Sequence, residues 1–124
     1  MDDYLGVLVK ESLRDPARTP TVVGSRRGVE WTLLLVRVPA RHLEHELEAL
    51  RSNLDPADCW YAHLFRKDEL IVVFDDEVFR VSTDPSTWDA ALRHGRDRGA
   101  PDDQLDFSPR TISGVEQEFG VRIS

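Results

Sequence analysis

The residue types best suited to chemistry lie in the segment Trp60-Tyr61-Ala62-His63-Leu64-Phe65, where a tyrosine and a histidine are two positions apart. Residues with that spacing share one face of a β-strand, so the phenol of Tyr61 and the imidazole of His63 would be neighbours. A buried imidazole needs a hydrogen-bonding partner, and Tyr61 or Asp106 could supply it. The pattern leaves two interpretations open: a structural histidine, or a general acid/base at the edge of a cleft.

Three further residues are candidates for contacting a small ligand: Trp88, Arg80 and Gln104. Trp88 lies near the start of a predicted helix, where its ring would either join the core or line a pocket. Arg80 lies on a predicted strand and could assist an acid/base residue. Gln104 and Asp106 belong to the segment 100–109, in which two apolar anchor residues would draw a polar neighbour inward.

Several motifs with a strong chemical meaning are absent from the sequence. It has no glycine-rich phosphate loop, no Cys/His zinc cluster and no Gly-x-Ser-x-Gly elbow. His42 and His45 stand at i and i+3 on a predicted helix, but the order of His and Glu around them does not match zinc-binding helices, which favours a solvated face. Cys59, the only cysteine, would need a nearby base to act as a nucleophile. The sequence therefore predicts no metal and no other cofactor.

The charge and composition restrict the classes of partner. The chain has 124 residues and a formal net charge of −7, and an acidic protein offers few cations to phosphates. Its short basic clusters, Arg26-Arg27 and the group Arg93, Arg96 and Arg98, are typical of a solvated surface. No apolar run approaches the roughly 18 residues of a membrane span, and one cysteine allows no intrachain disulfide. We expect a cytoplasmic protein, a single domain over residues 1–124, that binds neither nucleic acid nor membrane.

Hydrophobic spacing predicts the elements of the N-terminal third. Residues 3–14 are predicted as a short amphipathic helix that stops before Asp15-Pro16, because proline disfavours a helical residue before it. Residues 15–28 are predicted as a loop, with at most a short strand at Thr21-Val22-Val23. Residues 29–38 are predicted as a central strand, because their apolar run is unbroken and suggests burial on both faces.

Two longer helices are predicted further along the chain. A leucine stripe indicates a helix over residues 40–54. A second helix over 84–98 would begin with Asp84 as its N-cap and end at Gly99, which suits a left-handed C-cap. The C-terminal part is predicted as loop with one short helix near residues 114–119.

Three apolar runs between residues 60 and 81 predict an antiparallel meander with turns at 66–69 and at Asp75-Asp76. The first sheet face would carry Tyr61, His63, Phe65, Leu70, Val72, Phe74, Phe79 and Val81. The second face would carry Trp60, Ala62, Leu64, Ile71, Val73, Val78 and Arg80. The second face is apolar too, so it needs a cover. The N-terminal helix, the C-terminal tail, a ligand or a second copy of the chain, through Trp60, Leu64, Ile71 and Val73, could provide that cover.

Four blocks of the sequence resemble those of a family of small uncharacterised prokaryotic proteins: residues 60–65, 70–74, 86–88 and 101–107. The resemblance covers about residues 29–110. It carries no agreed activity, and it implies a related set of residues consisting of Tyr61, His63, Trp88 and Asp106.

These observations predict a two-layer α+β sandwich. An antiparallel sheet of about four strands would carry its helices on one face, in the order β-α-β-β-β-α after an N-terminal helix. The leading functional hypothesis is a non-enzymatic interaction or small-ligand-binding domain that forms a homodimer. The alternative is a small enzyme of unknown reaction, with His63 as its acid/base.

Overall fold

The computed structural model describes residues 3–57, 60–100, 105, 107 and 110–123. It is an α+β fold whose sheet has six strands rather than the predicted four or so: β1 (Tyr4–Val9), β2 (Thr21–Arg27), β3 (Thr32–Val38), β4 (Tyr61–Arg66), β5 (Glu69–Phe74) and β6 (Val78–Ser82). Its three α-helices are α1 (Leu43–Asn53), α2 (Asp89–Asp97) and α3 (Ile112–Phe119). The strands form one sheet in the order β2-β3-β1-β4-β5-β6, with every neighbouring pair antiparallel.

The N-terminal segment is a strand, so the predicted helix over residues 3–14 is wrong. β1 lies inside the sheet between β3 and β4. Leu5 and Val7 enter the core on one face, while Tyr4 and Leu8 enter it on the other. A strand buried on both faces has a nearly continuous apolar sequence, and such a run does not distinguish a strand from a buried helix.

A close backbone approach explains the glycine within β1. Gly6 pairs with Val36 of β3 and with Leu64 of β4. A Cβ atom at this position would lie 2.9 Å from the carbonyl oxygen of His63 and 3.1 Å from Cγ2 of Val36. Glycine in a strand often marks such an approach, so Gly6 allows the interior strand to fit.

The meander is confirmed together with its register. Phe65 pairs with Leu70, and Val72 pairs with Phe79, as predicted. The first turn is shorter than the predicted four residues, because Arg66 and Glu69 still pair. Both predicted faces are found: the apolar members of the first face lie in one hydrophobic cluster, and the apolar members of the second lie in another.

The helices cover both faces of the sheet, so the fold has three layers rather than two. The leucine stripe of α1 packs on the second face, where Leu64, Ile71 and Val73 are at most 2% exposed, and Trp60 is partly buried. The cover therefore comes from within the chain, from α1 rather than from an N-terminal helix or the C-terminal tail. The sheet face predicted as the homodimer interface is therefore covered by α1. Homodimer formation itself stays a prediction.

The first face is covered by α2, α3 and the two apolar anchors predicted in segment 100–109, Leu105 and Phe107. The predicted caps of the second helix are confirmed in part. The side chain of Asp84 accepts a hydrogen bond from the Ser86 N–H at the start of a 3₁₀ turn that precedes α2, and Gly99 has φ +91°. The short C-terminal helix is confirmed as α3.

The region predicted as a loop, residues 15–28, contains the edge strand β2. Its pairing with β3 shifts between Val22 and Gly24, which marks a β-bulge. β2 is mostly exposed, so it lacks the apolar pattern that predicts a strand. The strand predicted over 29–38 begins later, at Thr32, and lies between β2 and β1. Within the described ranges, none of the helices combines the length and apolarity that a membrane span requires.

We predict that Gly6→Ala lowers the free energy of unfolding by about 1–3 kcal/mol, because the added methyl group would crowd the carbonyl oxygen of His63 in β4. Urea unfolding followed by circular dichroism measures the change. A variant as stable as the parent protein would contradict the close approach of β1 and β4.

Candidate functional site

His63 lies in an aromatic cluster on the first face rather than at an open cleft. Its ring centroid is 5.1 Å from that of Tyr61 and 5.5 Å from that of Phe107. Phe107 also stands edge-on to Tyr61 at 5.4 Å and is only 1% exposed. Tyr61 and His63 are therefore brought together as the sequence predicts, with Phe107 packed against both rings.

The other candidate residues are distributed over the two faces. Trp88 joins the aromatic cluster, with its ring 6.0 Å from Phe107 and its indole N–H donating to the Ser82 carbonyl oxygen at 2.7 Å. Arg80 lies on the second face, where it forms an ion pair with Glu44 of α1 at 2.8 Å. The structure thus separates Arg80 from Trp88. Asp106, Gln104 and Cys59 lie outside the described residues.

A groove of about 420 Å³ opens on the first face, between the start of β1, the β4–β5 turn and the start of α3. Its apolar lining comes from Leu5, Phe65 and Ile112. Leu5 and Phe65 are paired across β1 and β4 and are nearly buried, so the sheet itself forms the floor. The volume is within the range of about 300–1,000 Å³ that is usual for small-molecule sites.

Three cationic side chains line the same groove: Arg66, Lys67 and Arg110. Asp3 is the acidic member of the lining, and it lies 3.7 Å from the Nε of Arg37, measured to its carboxylate oxygen. Arg66 and Arg110 are already ion-paired with Glu69 and Glu118. Lys67 is therefore the cation of the lining that has no ion pair within the described residues.

The wall formed by α3 is fixed by a carboxylate shared between two arginines. Glu118 near the end of α3 accepts from Arg110 at 2.5 Å and from Arg26 of β2 at 3.2 Å. At the other end of the helix, the Thr111 side chain accepts the Gly114 N–H at 3.0 Å and acts as N-cap. These contacts hold the first turn of α3 at the side of the groove.

Lys67 occupies an unusual backbone conformation in the β4–β5 turn. Its φ is +54°, and among the described residues it is the only one other than glycine with a positive φ. A left-handed conformation costs a lysine roughly 1–2 kcal/mol. Residues held in such regions are concentrated at functional sites. A strained residue in the lining therefore supports the groove as a functional site.

Arg66 connects the groove to a polar network on the second face. Its Nε donates to Glu69 at 2.8 Å, and its guanidinium lies 4.3 Å from the centre of the Tyr4 ring. The Tyr4 hydroxyl donates to the other oxygen of Glu69 at 2.8 Å. The hydrogen bonds from Arg66 and Tyr4 lower the pKa of Glu69. Burial, followed by the bond to Glu69, raises the pKa of Tyr4.

A second polar cluster ties the β5–β6 turn to α2. His94 lies 2.8 Å from Asp76, and Arg98 reaches Asp75 at 2.6 Å and Asp76 at 2.8 Å. Burial opposes ionisation of Asp76, but the hydrogen bond from His94 and the nearby positive charges give it a lowered pKa. Arg98, predicted as solvated surface, is thus a structural residue.

The groove is not apparent from any motif in the sequence. Arg66 and Lys67 are adjacent cations at a hairpin turn, and this signal was visible, but only Arg26-Arg27 and the α2 arginines were considered as basic clusters. The approach of Arg110 depends on long-range packing. Within the described part of the chain, no group of three or more His, Cys, Asp and Glu side chains is arranged to hold a metal ion.

Comparison with known proteins gives no assignment: no protein-family model matches the chain, and no curated protein or solved structure is similar to it. The resemblance to an uncharacterised prokaryotic family stays a prediction.

We predict that Glu69→Gln destabilises the protein by about 1 kcal/mol at pH 7, because Arg66 and Tyr4 lose a charged acceptor that solvent partly screens. The lowered pKa of Glu69 means that its contribution is present above the ordinary value of about 4.3 and is lost as the pH falls through the folded-state pKa. The difference between variant and parent should therefore disappear in acid. Urea unfolding at a series of pH values measures it.

Glu77→Gln is the matched control, since Glu77 is exposed and its side chain makes no hydrogen bond or ion pair within the described residues. An equal loss of stability in both variants would contradict a specific role for the Tyr4–Glu69–Arg66 network.

Proposed function

We propose that the protein is a small-ligand-binding domain that holds its ligand in the groove between the β4–β5 turn and α3. The observation that supports this most directly is the combination of an apolar floor, Leu5 and Phe65, with a charged rim in one concave site. Ligand sites are characteristically apolar concavities with a few polar groups that fix orientation. The strained backbone at Lys67 lies on the rim and supports the same location.

The alternative, an enzyme that uses His63 as acid/base, has less support. A general acid/base must reach the proton of a bound substrate. His63 is not part of the groove lining, and the ring of Phe107 packs against it. We retain this alternative as a prediction, which loss of an activity in a folded His63→Gln variant would support.

The proposal also includes a cytoplasmic location and homodimer formation, neither of which is required for ligand binding. The single cysteine, Cys59, is consistent with a reducing compartment and therefore with a cytoplasmic protein. Homodimer formation stays a prediction, and light scattering over a range of concentrations tests it.

We predict that Ser113→Trp blocks ligand binding. Ser113 is exposed and lines the groove, so an indole at this position would fill space without disturbing the core. In a fragment screen with neutral, cationic and anionic members, binders should shift the backbone amide NMR signals of Phe65, Lys67 and Ile112 in the parent protein. Those shifts should be lost in the variant.

Ser52→Trp provides the control, because Ser52 is exposed on α1, on the opposite side of the sheet. It should leave the shifts unchanged. A screen in which no fragment perturbs the groove amides, or in which both tryptophan variants behave alike, would overturn the proposed site.

A further inference from the structure

We infer that the ligand is a small amphipathic anion, in which a carboxylate or phosphate ester is joined to an apolar body. This inference rests on the proposed ligand-binding function and specifies the chemical class that the groove accepts. It is carried by the apolar lining and the cations on the rim, and is supported by the backbone conformation of one of those cations, Lys67.

The lining requires an apolar body. Leu5 and Phe65 form a buried floor, at 1% and 5% exposure. Ile112 stands at the side and is 37% exposed, which makes it one of the few large hydrophobic residues that the described chain leaves open to water. An apolar ligand would remove this surface from water, which is favourable in proportion to the area covered.

The rim requires a negative head group. Lys67 is exposed, and within the described residues its ammonium group makes no hydrogen bond or ion pair. Arg110 uses one terminal nitrogen on Glu118, and a guanidinium has further N–H donors. Hydrogen bonds between such cations and a carboxylate or phosphate are about twice as strong as neutral ones. Asp3, the acidic residue of the lining, lies near Arg37. Arg66 and Arg110 already have carboxylate partners, so the positive charge that remains for a ligand is mainly that of Lys67.

The conformation of Lys67 indicates that its side chain matters. Glycine is the residue that adopts a positive φ without steric cost, and it is the usual choice at such a turn position. A lysine at φ +54° is less favourable for the turn but places an ammonium group beside the groove. The first turn of α3 adds to this effect, because the N–H groups of Ile112 and Ser113 have no helical acceptor before them.

The experiment uses four probes that share an eight-carbon chain: octanoate, octyl phosphate, octylamine and octanol. Each is titrated into the full-length protein while the backbone amide NMR signals of Phe65, Lys67 and Ile112 are followed. The variants are Lys67→Glu and Lys67→Gln. The matched control is Lys10→Glu, which makes the same change of net charge at an exposed position after the far end of β1.

We expect the two anions to bind in the groove at least about tenfold more tightly than octanol, and octylamine to bind most weakly. Lys67→Glu should weaken the anions by about tenfold or more, Lys67→Gln should weaken them less, and Lys10→Glu should leave them unchanged. The stronger of octanoate and octyl phosphate identifies the head group as carboxylate or phosphate.

Other results would overturn the inference. Octanol or octylamine binding in the groove as tightly as the anions would reject an anionic ligand while leaving the ligand-binding function in place. Equal weakening by Lys67→Glu and Lys10→Glu would show a response to net charge and reject the rim as the anion site. If none of the four probes shifts the groove amides, the ligand-binding function itself fails, and this inference fails with it.

Discussion

The pairing of β1 with β4 holds the two halves of the sheet together. β2, β3 and β1 form one half, and β4, β5 and β6 form the other. The two halves meet through a short ladder in which Leu5, Gly6 and Val7 pair with Phe65, Leu64 and His63. Because Gly6 has no side chain, the backbone of β4 and the side chain of Val36 can both approach it closely. The two apolar clusters above and below the sheet depend on this junction, since both draw residues from either half.

The groove is a consequence of how the first face is covered. α3 is bound to β2 and to its own preceding segment through Glu118, while Val115 and Phe119 are buried in the core. The helix therefore cannot slide further towards the β4–β5 turn without losing these contacts. The concavity is built into the packing of the domain, and its floor contains two residues of the β1–β4 junction.

Local patterns were sufficient for the elements whose signals are local. The meander, its register and its two faces follow from strand alternation and turn length, and the leucine stripe identified α1. β1 was mistaken for a helix because burial on both faces removes the alternation that marks a strand. The prediction that all helices lie on one face was also wrong, because the two opposite faces of the sheet are both apolar. The sequence of a short segment does not indicate which of two apolar sheet faces a helix will cover.

The same distinction between local and long-range signals applies to the candidate site. The proximity of Tyr61 and His63 could be predicted because both lie on one strand. The meeting of the β4–β5 turn with Arg110 could not, because it joins segments more than forty residues apart in the sequence. The positive charge of Lys67 can be seen in the sequence. Its functional importance follows only from the adjacent groove and from its positive φ, which the sequence does not show.

The two edges of the sheet affect how the protein behaves in concentrated solution. β2 is interrupted by the bulge near Gly24 and carries the exposed Arg26 and Arg27, while β6 has only five residues, with the exposed Arg80 among them. Bulges, short strands and charged side chains are the means by which β-proteins keep their edges from joining those of neighbours. In a concentrated solution these features disfavour the growth of intermolecular β-aggregates from either edge of the six-stranded sheet.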